Sequence, residues 1–411
     1  MLRTNPDRLW DSIAYLARFG ATARGGVGRA ALSAADGKAR DCFCGWCREA
    51  GLEVRIDRIG NIFARRDGTD PQAPPVLTGS HLDTQPLGGK FDGIYGVLAG
   101  LEVLRTLNDA RLRTRAPLEV VVWTDEEGWR FSPGMCGSSV FCGVMELERG
   151  LAAADADGIT VAEALRQIGY AGEQAAGGFV IDSFFEAHIE QGPVLESENI
   201  PVGIVLGAQG QRCFEVQVRG DEGHAGTLPM EQRHDALLGA ARMVDRINAV
   251  AFEFDPHPVI TVGRLDVRPN SRNTIPGACR FSIDARHPED DVLAAAEARI
   301  RQDCQALAEH SSVEVEVALE SQRSTVHFDA TRLELLRTAA TRLGIARRDI
   351  FSGAGHDACN LAAVTPTAML FVPCEKGVSH NELENARRED LAAGCDVLLH
   401  AMLARAGGGA D

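Results

Sequence analysis

Apolar residues run almost without a break through "LEVVVWTDEEG" (118–128) and stop at a pair of glutamates. A strand of this kind is covered on both faces, as in a parallel sheet. "PPVLTGSH" (74–81) is a second, shorter buried strand. Between the two, "GIYGVLAGLEVLRTLNDA" (93–110) carries its apolar residues at helical spacing. Strand, helix, strand is the unit of a right-handed parallel crossover. Sites in such sheets lie beyond the carboxyl ends of the strands, and His81 and the pair Glu126–Glu127 fall at those ends. Upstream, residues 1–50 read as helices with a Gly-rich break at "RGGVGRA". "GLEVRID" and "GNIFARR" read as two strands joined by a short turn.

From about residue 209 the pattern changes. "QRCFEVQVRG" alternates as a half-buried strand, and "MEQRHDALLGAARMVDRINAVA" is helical. "PVITVGRLDV" and "GACRFSIDAR" are strands, "EDDVLAAAEARIRQDCQALAEH" is helical, and "SVEVEVALES" alternates again. The order β-α-β-β-α-β is that of a ferredoxin-like unit. A helix at "TRLELLRTAATRLG", a buried strand at "TAMLFVP" and a helical end follow. The expectation is an α/β protein with a mostly parallel mixed sheet flanked by helices. Its large domain comprises residues 1–208 and 323–411, and the small one is inserted over 209–322.

Composition narrows the function. A net charge of -16 disfavours nucleic acid and anionic membranes as partners. No apolar run reaches the ~18 residues that span a bilayer. The amphipathic N-terminus lacks the plan of a signal peptide, so a cytoplasmic location is expected. The 11 cysteines are scattered and odd in number, which reads as reduced thiols. Cys42, Cys44 and Cys47 lie close together but lack a second ligand pair, and read as small apolar residues on a helix. The C-terminal "GGGAD" is expected to fray.

The segment "TGSHLDTQPLGGKFDG" (78–93) gathers His81, Asp83 and Asp92 among glycines. A site with two metal ions needs one shared ligand and further ligands on each ion. The candidates are His81, Asp92, Glu126, Glu127, His188 in "FFEAHIEQGP" and His380 in "GVSHNELE". Imidazole and carboxylate together suit zinc, manganese, cobalt or nickel. Asp83, two residues past His81, points the same way if the strand continues. It is then placed to accept the second imidazole N–H and fix the tautomer.

Eight motifs occur in order over residues 75–385: "GSHLDTQPLGGKFDG", "WTDEEGWRFSPGMCGS", "EAHIEQGPVLE", "GHAGTLPMEQRHDAL", "RPNSRNTIPG", "DARH", "SGAGHDA" and "VPCEKGVSHNELE". Through them the chain resembles the hydantoinase/carbamoylase family of amidohydrolases, within the aminoacylase and carboxypeptidase-like clan of dinuclear metallohydrolases. The resemblance implies two divalent ions per subunit, with Asp92 bridging them. His81 and His188 would complete one ion, Glu127 and His380 the other. Glu126 would be the general base. His224 would stabilise the oxyanion across a homodimer, since the matching histidine in the family comes from the other subunit. The inserted domain would then serve as lid and dimerisation unit.

A substrate carboxylate needs a planar, bidentate cation, and Arg286 in "SIDARHP" suits it. Asn273 would bond the same carboxylate, Gln191 the carbamoyl amide, and Gly353 and Gly355 would let backbone N–H groups approach the ligand. His356 and Asp357 read as structural. The implied enzyme is a metal-dependent hydrolase of linear C–N bonds that cleaves N-carbamoyl amino acids to amino acid, ammonia and carbon dioxide. An allantoate or related ureido-acid amidohydrolase is the alternative. An aminopeptidase fits the "HIEQGP" and "GVSHNELE" segments less well, and a binding protein without chemistry would not need the paired glutamates.

Overall fold

The computed structural model describes residues 1–408; Gly409–Asp411, the end of the segment expected to fray, lie outside the described residues. The chain divides into two compact units. One combines residues 1–207 with those from His327 onward, and the other is Ala208–Val326.

The larger unit is built on a nine-stranded sheet. Its centre is four parallel strands in the spatial order Leu118–Trp123, Val76–His81, Ser183–Ile189 and Thr367–Val372. Antiparallel strands flank them: Ile62–Arg66 and Glu53–Ile56 on one side, Val202–Ala208 on the other. All residues of the four central strands are buried. This explains the unbroken apolar runs, because a strand covered on both faces has no solvent side to keep polar. Complete burial of each of Val120, Val121 and Val122 stabilises the fold by about 1.5–3 kcal/mol per side chain. Helices Ile94–Asp109 and Arg388–Ala406 lie against each other and against this core. A second pair, Cys136–Phe141 and Asp357–Leu361, does the same. Because the four strands are parallel, their carboxyl ends share one edge. The sequence pattern gave no sign of the strands Val202–Ala208 and Arg347–Ser352.

In the smaller unit, Leu265–Arg268, Ala278–His287, Gly210–Arg219 and Glu314–Arg323 form an antiparallel sheet in that order. Counted along the chain the order is 2-3-1-4, the arrangement of the split βαβ unit. Helices Ala236–Ala251 and Asp290–His310 close its core, packing Met243, Ile247, Ile300 and Cys304 against Phe214, Val216, Phe281 and Ile283. Two expectations needed adjustment. "PVITVGRLDV" is two strands, Val259–Thr261 and Leu265–Arg268, interrupted around Gly263. The first helix begins at Ala236 rather than Met230, because the Asp235 side chain accepts the Leu238 N–H and caps it there.

Among the described residues no helix is long and apolar enough to cross a membrane. Cys42, Cys44 and Cys47 sit on the helix Ala34–Glu49 as free thiols. Burial pushes all three thiols above their ordinary range.

Candidate metal centre

The shared edge of the parallel strands gathers the expected donors. His81 ends its strand, His188 lies one residue before the end of the next, and Glu126 and Glu127 follow Trp123. Asp92 precedes the helix Ile94–Asp109, and His380 lies in an irregular segment before the last helix. Their ligand atoms form two sets, His81–Asp92–His188 and Asp92–Glu127–His380, with the atoms of each set within 4.8 Å of one another. Asp92 belongs to both. Its Oδ1 lies 3.1 Å from His188 Nε2 and 3.7 Å from His81 Nε2, and its Oδ2 lies 3.3 Å from His380 Nε2. Glu126 is in neither set, yet its Oε2 comes within 3.6 Å of His81 Nε2.

Backbone contacts orient the imidazoles. His188 Nδ1 donates to the carbonyl of its neighbour Ile189 at 2.9 Å, which turns Nε2 toward Asp92. His81 Nδ1 lies 3.0 Å from the Asp83 carbonyl. The Asp83 carboxylate, expected to hold this imidazole, is 3.8 Å from Nδ1. It accepts the backbone N–H groups of Glu127 at 3.1 Å and Glu126 at 3.4 Å instead. Asp83 thus positions both partners, His81 through its main chain and the glutamates through its side chain. Gly93 is required beneath them: its φ is +70°, and a Cβ there would fall 2.3 Å from the His81 ring.

The charge balance shows what the donors fit. Burial pushes Glu127 up to about 7, with the Asp92 charge adding to it. Burial and the charges of Asp357, Glu127, Asp83 and Asp92 hold Glu126 well above the carboxylate range. Asp92 is the exception. Burial opposes its charge, but hydrogen bonds with His188 and His380 outweigh that and hold it well below its ordinary value. Conversely, burial opposes charge on His188, and Asp92 overrides it to bring the imidazole to about 9. The bond to Asp92 brings His380 to about 9 as well. A buried nest of carboxyls that needs protonated imidazoles for balance is one that divalent cations would neutralise. The mixed nitrogen and oxygen donors suit such ions.

Other expected residues take varied places. Gln191 Nε2 donates to Asp92 Oδ2 at 3.0 Å, and its Oε1 is a buried acceptor with no protein partner. His356 is buried, bonds Ser352 Oγ at 2.9 Å and stacks edge-on against His188. Asp357 accepts from Ser138 Oγ. Glu186 belongs to a third donor set with His188 and His356. It is already engaged by Ser80 Oγ and the Ala358 N–H, so this set buttresses His188 from behind. A Cβ at Gly353 would meet no atom within 4 Å, so crowding is not what places a glycine there; Gly355 lies in the same turn before the helix Asp357–Leu361.

Three expected residues belong to the smaller unit. His224 pairs with Thr274 on a two-residue ladder, and its Nδ1 accepts the Gly226 N–H at 3.0 Å. That bond places the proton of the neutral ring on Nε2. The Asn273 carbonyl accepts the Ala225 N–H beside it. Arg286 is clamped by Asp284 through two bonds of 2.9 Å.

Sequence reasoning missed Gln85, Ser379 and Glu384. Gln85 bonds Glu127 through its main chain and its side chain. Ser379 and Glu384 stand beside Asp92. Ser379 and Glu384 lie within the motif that drew attention to His380, but only folding shows what they touch.

Residues 77–404 match the model of peptidase family M20/M25/M40. The chain is 45% identical over 401 residues to the N-carbamoyl-L-amino-acid amidohydrolase of Rhizobium meliloti, covering 98% of this chain and 96% of that one. It is 33% identical to the allantoate amidohydrolase of Escherichia coli, with 94% and 95% covered. The crystal structure of an amidase of the hydantoinase/carbamoylase family from Burkholderia multivorans superposes with a TM-score of 0.96 at 50% identity, with both chains covered completely.

Proposed function

The chain belongs to peptidase family M20/M25/M40 and, within it, to the hydantoinase/carbamoylase amidases, and from that premise we propose that this amidohydrolase cleaves the carbamoyl C–N bond of N-carbamoyl amino acids with two divalent ions per subunit. The observation that carries the proposal is the carboxylate of Asp92 serving two donor sets at once, with Glu126 beside His81 and outside both. His81, His188 and Asp92 would hold one ion, and Glu127, His380 and Asp92 the other. Bound there, the ions would polarise the ureido carbonyl and lower the pKa of water.

The rest is the work of side chains. Glu126 takes a proton from the attacking water and returns it to the leaving nitrogen. Water supplies one oxygen of the released carbamate, the ureido carbonyl the other; the carbamate decomposes to ammonia and carbon dioxide, and the amino acid departs with the returned proton. The unpartnered Gln191 Oε1 is an acceptor for a ureido N–H. Arg286, its plane fixed by Asp284, would bond the substrate carboxylate together with Asn273, and the backbone N–H groups at Gly353 and Gly355 would bond the substrate as well. His224, with its proton on Nε2, donates to the developing oxyanion from the partner subunit of a homodimer. A cytoplasmic location accompanies this reading. The higher identity to the carbamoyl-amino-acid relative than to the allantoate relative favours the first substrate class over the second.

Chelator-stripped protein, reloaded with zinc, manganese, cobalt or nickel, tests the proposal by ammonia release. N-carbamoyl-L-amino acids are expected to turn over faster than allantoate, with N-carbamoyl-β-alanine as a third arm. Faster turnover of allantoate would transfer the assignment to the ureido-acid alternative. No metal-dependent ammonia release from any of them would end it.

A further inference from the structure

Two of the three histidines at the centre are held by the fold itself. His81 and His188 stand on central strands and are 2% and 1% exposed. His380 differs: it lies in a segment without helix or strand, adopts φ +53°, and its side chain is 51% exposed. Neither packing nor a sheet ladder fixes its distance from Asp92, so another contact must.

Glu384, four residues on and 3% exposed, makes that contact. Its Oε1 accepts the backbone N–H groups of Phe91 at 2.9 Å and Asp92 at 3.2 Å. Its Oε2 lies 3.2 Å from Ser379 Oγ. Ser379, next to His380, also places its hydroxyl 3.1 Å from Asp92 Oδ2 and accepts from Gln191 Nε2 at 3.2 Å. The two segments lie 292 residues apart in sequence and are fitted closely. A Cβ at Gly89 would fall 2.0 Å from Glu384 Oε1.

We propose that Glu384, with Ser379 as its intermediary, is the positioning residue that sets the His380 segment against the Asp92 segment and so builds the ion site of Asp92, Glu127 and His380, while the site of His81, Asp92 and His188 depends on it only through the shared Asp92. This rests on the two-ion reading above. Glu384 touches no reacting atom; it acts through Asp92 and His380.

Calorimetric titration of stripped protein with zinc tests the proposal without reference to turnover. Wild type binds two ions per chain. Glu384→Ala weakens the second by about 10–100-fold, the range for losing a group that orients a ligand, and the first, which shares only Asp92 with it, by much less. Ser379→Ala weakens the same ion by less. Glu384→Gln, whose amide oxygen still accepts from Phe91 and Asp92, recovers most of the loss. If Glu384→Ala does not fold, the other two variants decide. Selective weakening of the second ion in Ser379→Ala supports the brace, and wild-type isotherms in both overturn it. Equal weakening of both ions also overturns it. A wild type that binds fewer than two ions refutes the two-ion reading itself, a result distinguishable from failure of the brace alone.

Discussion

Replacing Arg40 by methionine removes one half of an ion pair that water does not reach. Arg40 and Asp36 are 1% and 0% exposed, and their bond is 2.8 Å. Arg40 also donates to the Gly60 carbonyl at 2.7 Å and to Thr124 Oγ1 at 3.4 Å, two residues before Glu126. Removing one partner of a buried pair costs about 3–5 kcal/mol, because the other charge stays buried and uncompensated. The orphaned Gly60 carbonyl places Arg40→Met toward the upper end. At about 2 °C per kcal/mol for a unit of this size, the thermal midpoint should fall by about 6–10 °C. Circular dichroism during a temperature ramp measures it. Arg337→Met is the control: its partner Asp349 is 40% exposed, and loss of such a pair costs at most about 1 kcal/mol. The double variant Arg40→Met/Asp36→Leu should regain much of the loss, since an apolar pair can replace a buried ionic one. A midpoint for Arg40→Met no lower than that of Arg337→Met, or a double variant no better than the single, would refute the reasoning.

Other outcomes are expected. Glu126→Gln should keep both ions by elemental analysis and lose about 10²–10⁴-fold in turnover; normal hydrolysis would remove Glu126 as the base. Gly93→Ala, which drives a methyl group into the His81 ring, should lose zinc affinity even where the protein folds, and wild-type binding would contradict the packing argument. Asp182 gives a pH signature. Burial pushes its carboxyl up, but bonds from Arg405 and Ser183 and the charges of Arg405 and Arg332 outweigh this and hold it below its ordinary value. A depressed acid contributes stability above its unfolded value of about 3.9 and loses it as pH falls through the folded value. Arg405→Met should therefore melt below wild type at pH 7, with the gap closing below about pH 4; a gap independent of pH would assign the effect to packing.

Much of this was legible in the sequence because burial on both faces leaves a mark. The unbroken apolar runs at Leu118–Trp123 and Thr367–Val372 name central strands, and parallel strands put their following residues on one edge, which is where His81 and the Glu126–Glu127 pair stand. Long-range polar contacts leave no such mark. Nothing periodic ties Glu384 to Phe91, or Arg40 to Thr124. Asp83 was expected to serve His81 by its side chain, and does so by its carbonyl, because the chain leaves the strand at His81 and the alternation of side chains ends there. Arg286 was expected to meet a substrate carboxylate; that Asp284, two residues before it on the same strand face, fixes its plane was not foreseen, although the spacing puts both on one face.

The central claim is that Asp92 is shared between two ions. Crystals of zinc-loaded protein, measured on both sides of the zinc absorption edge, test it most directly. Two anomalous peaks about 3.5–4 Å apart, one on each side of the Asp92 carboxylate, are predicted, the first within bonding distance of His81 and His188 and the second of Glu127 and His380. A single peak, or peaks that leave Asp92 untouched, would contradict the account.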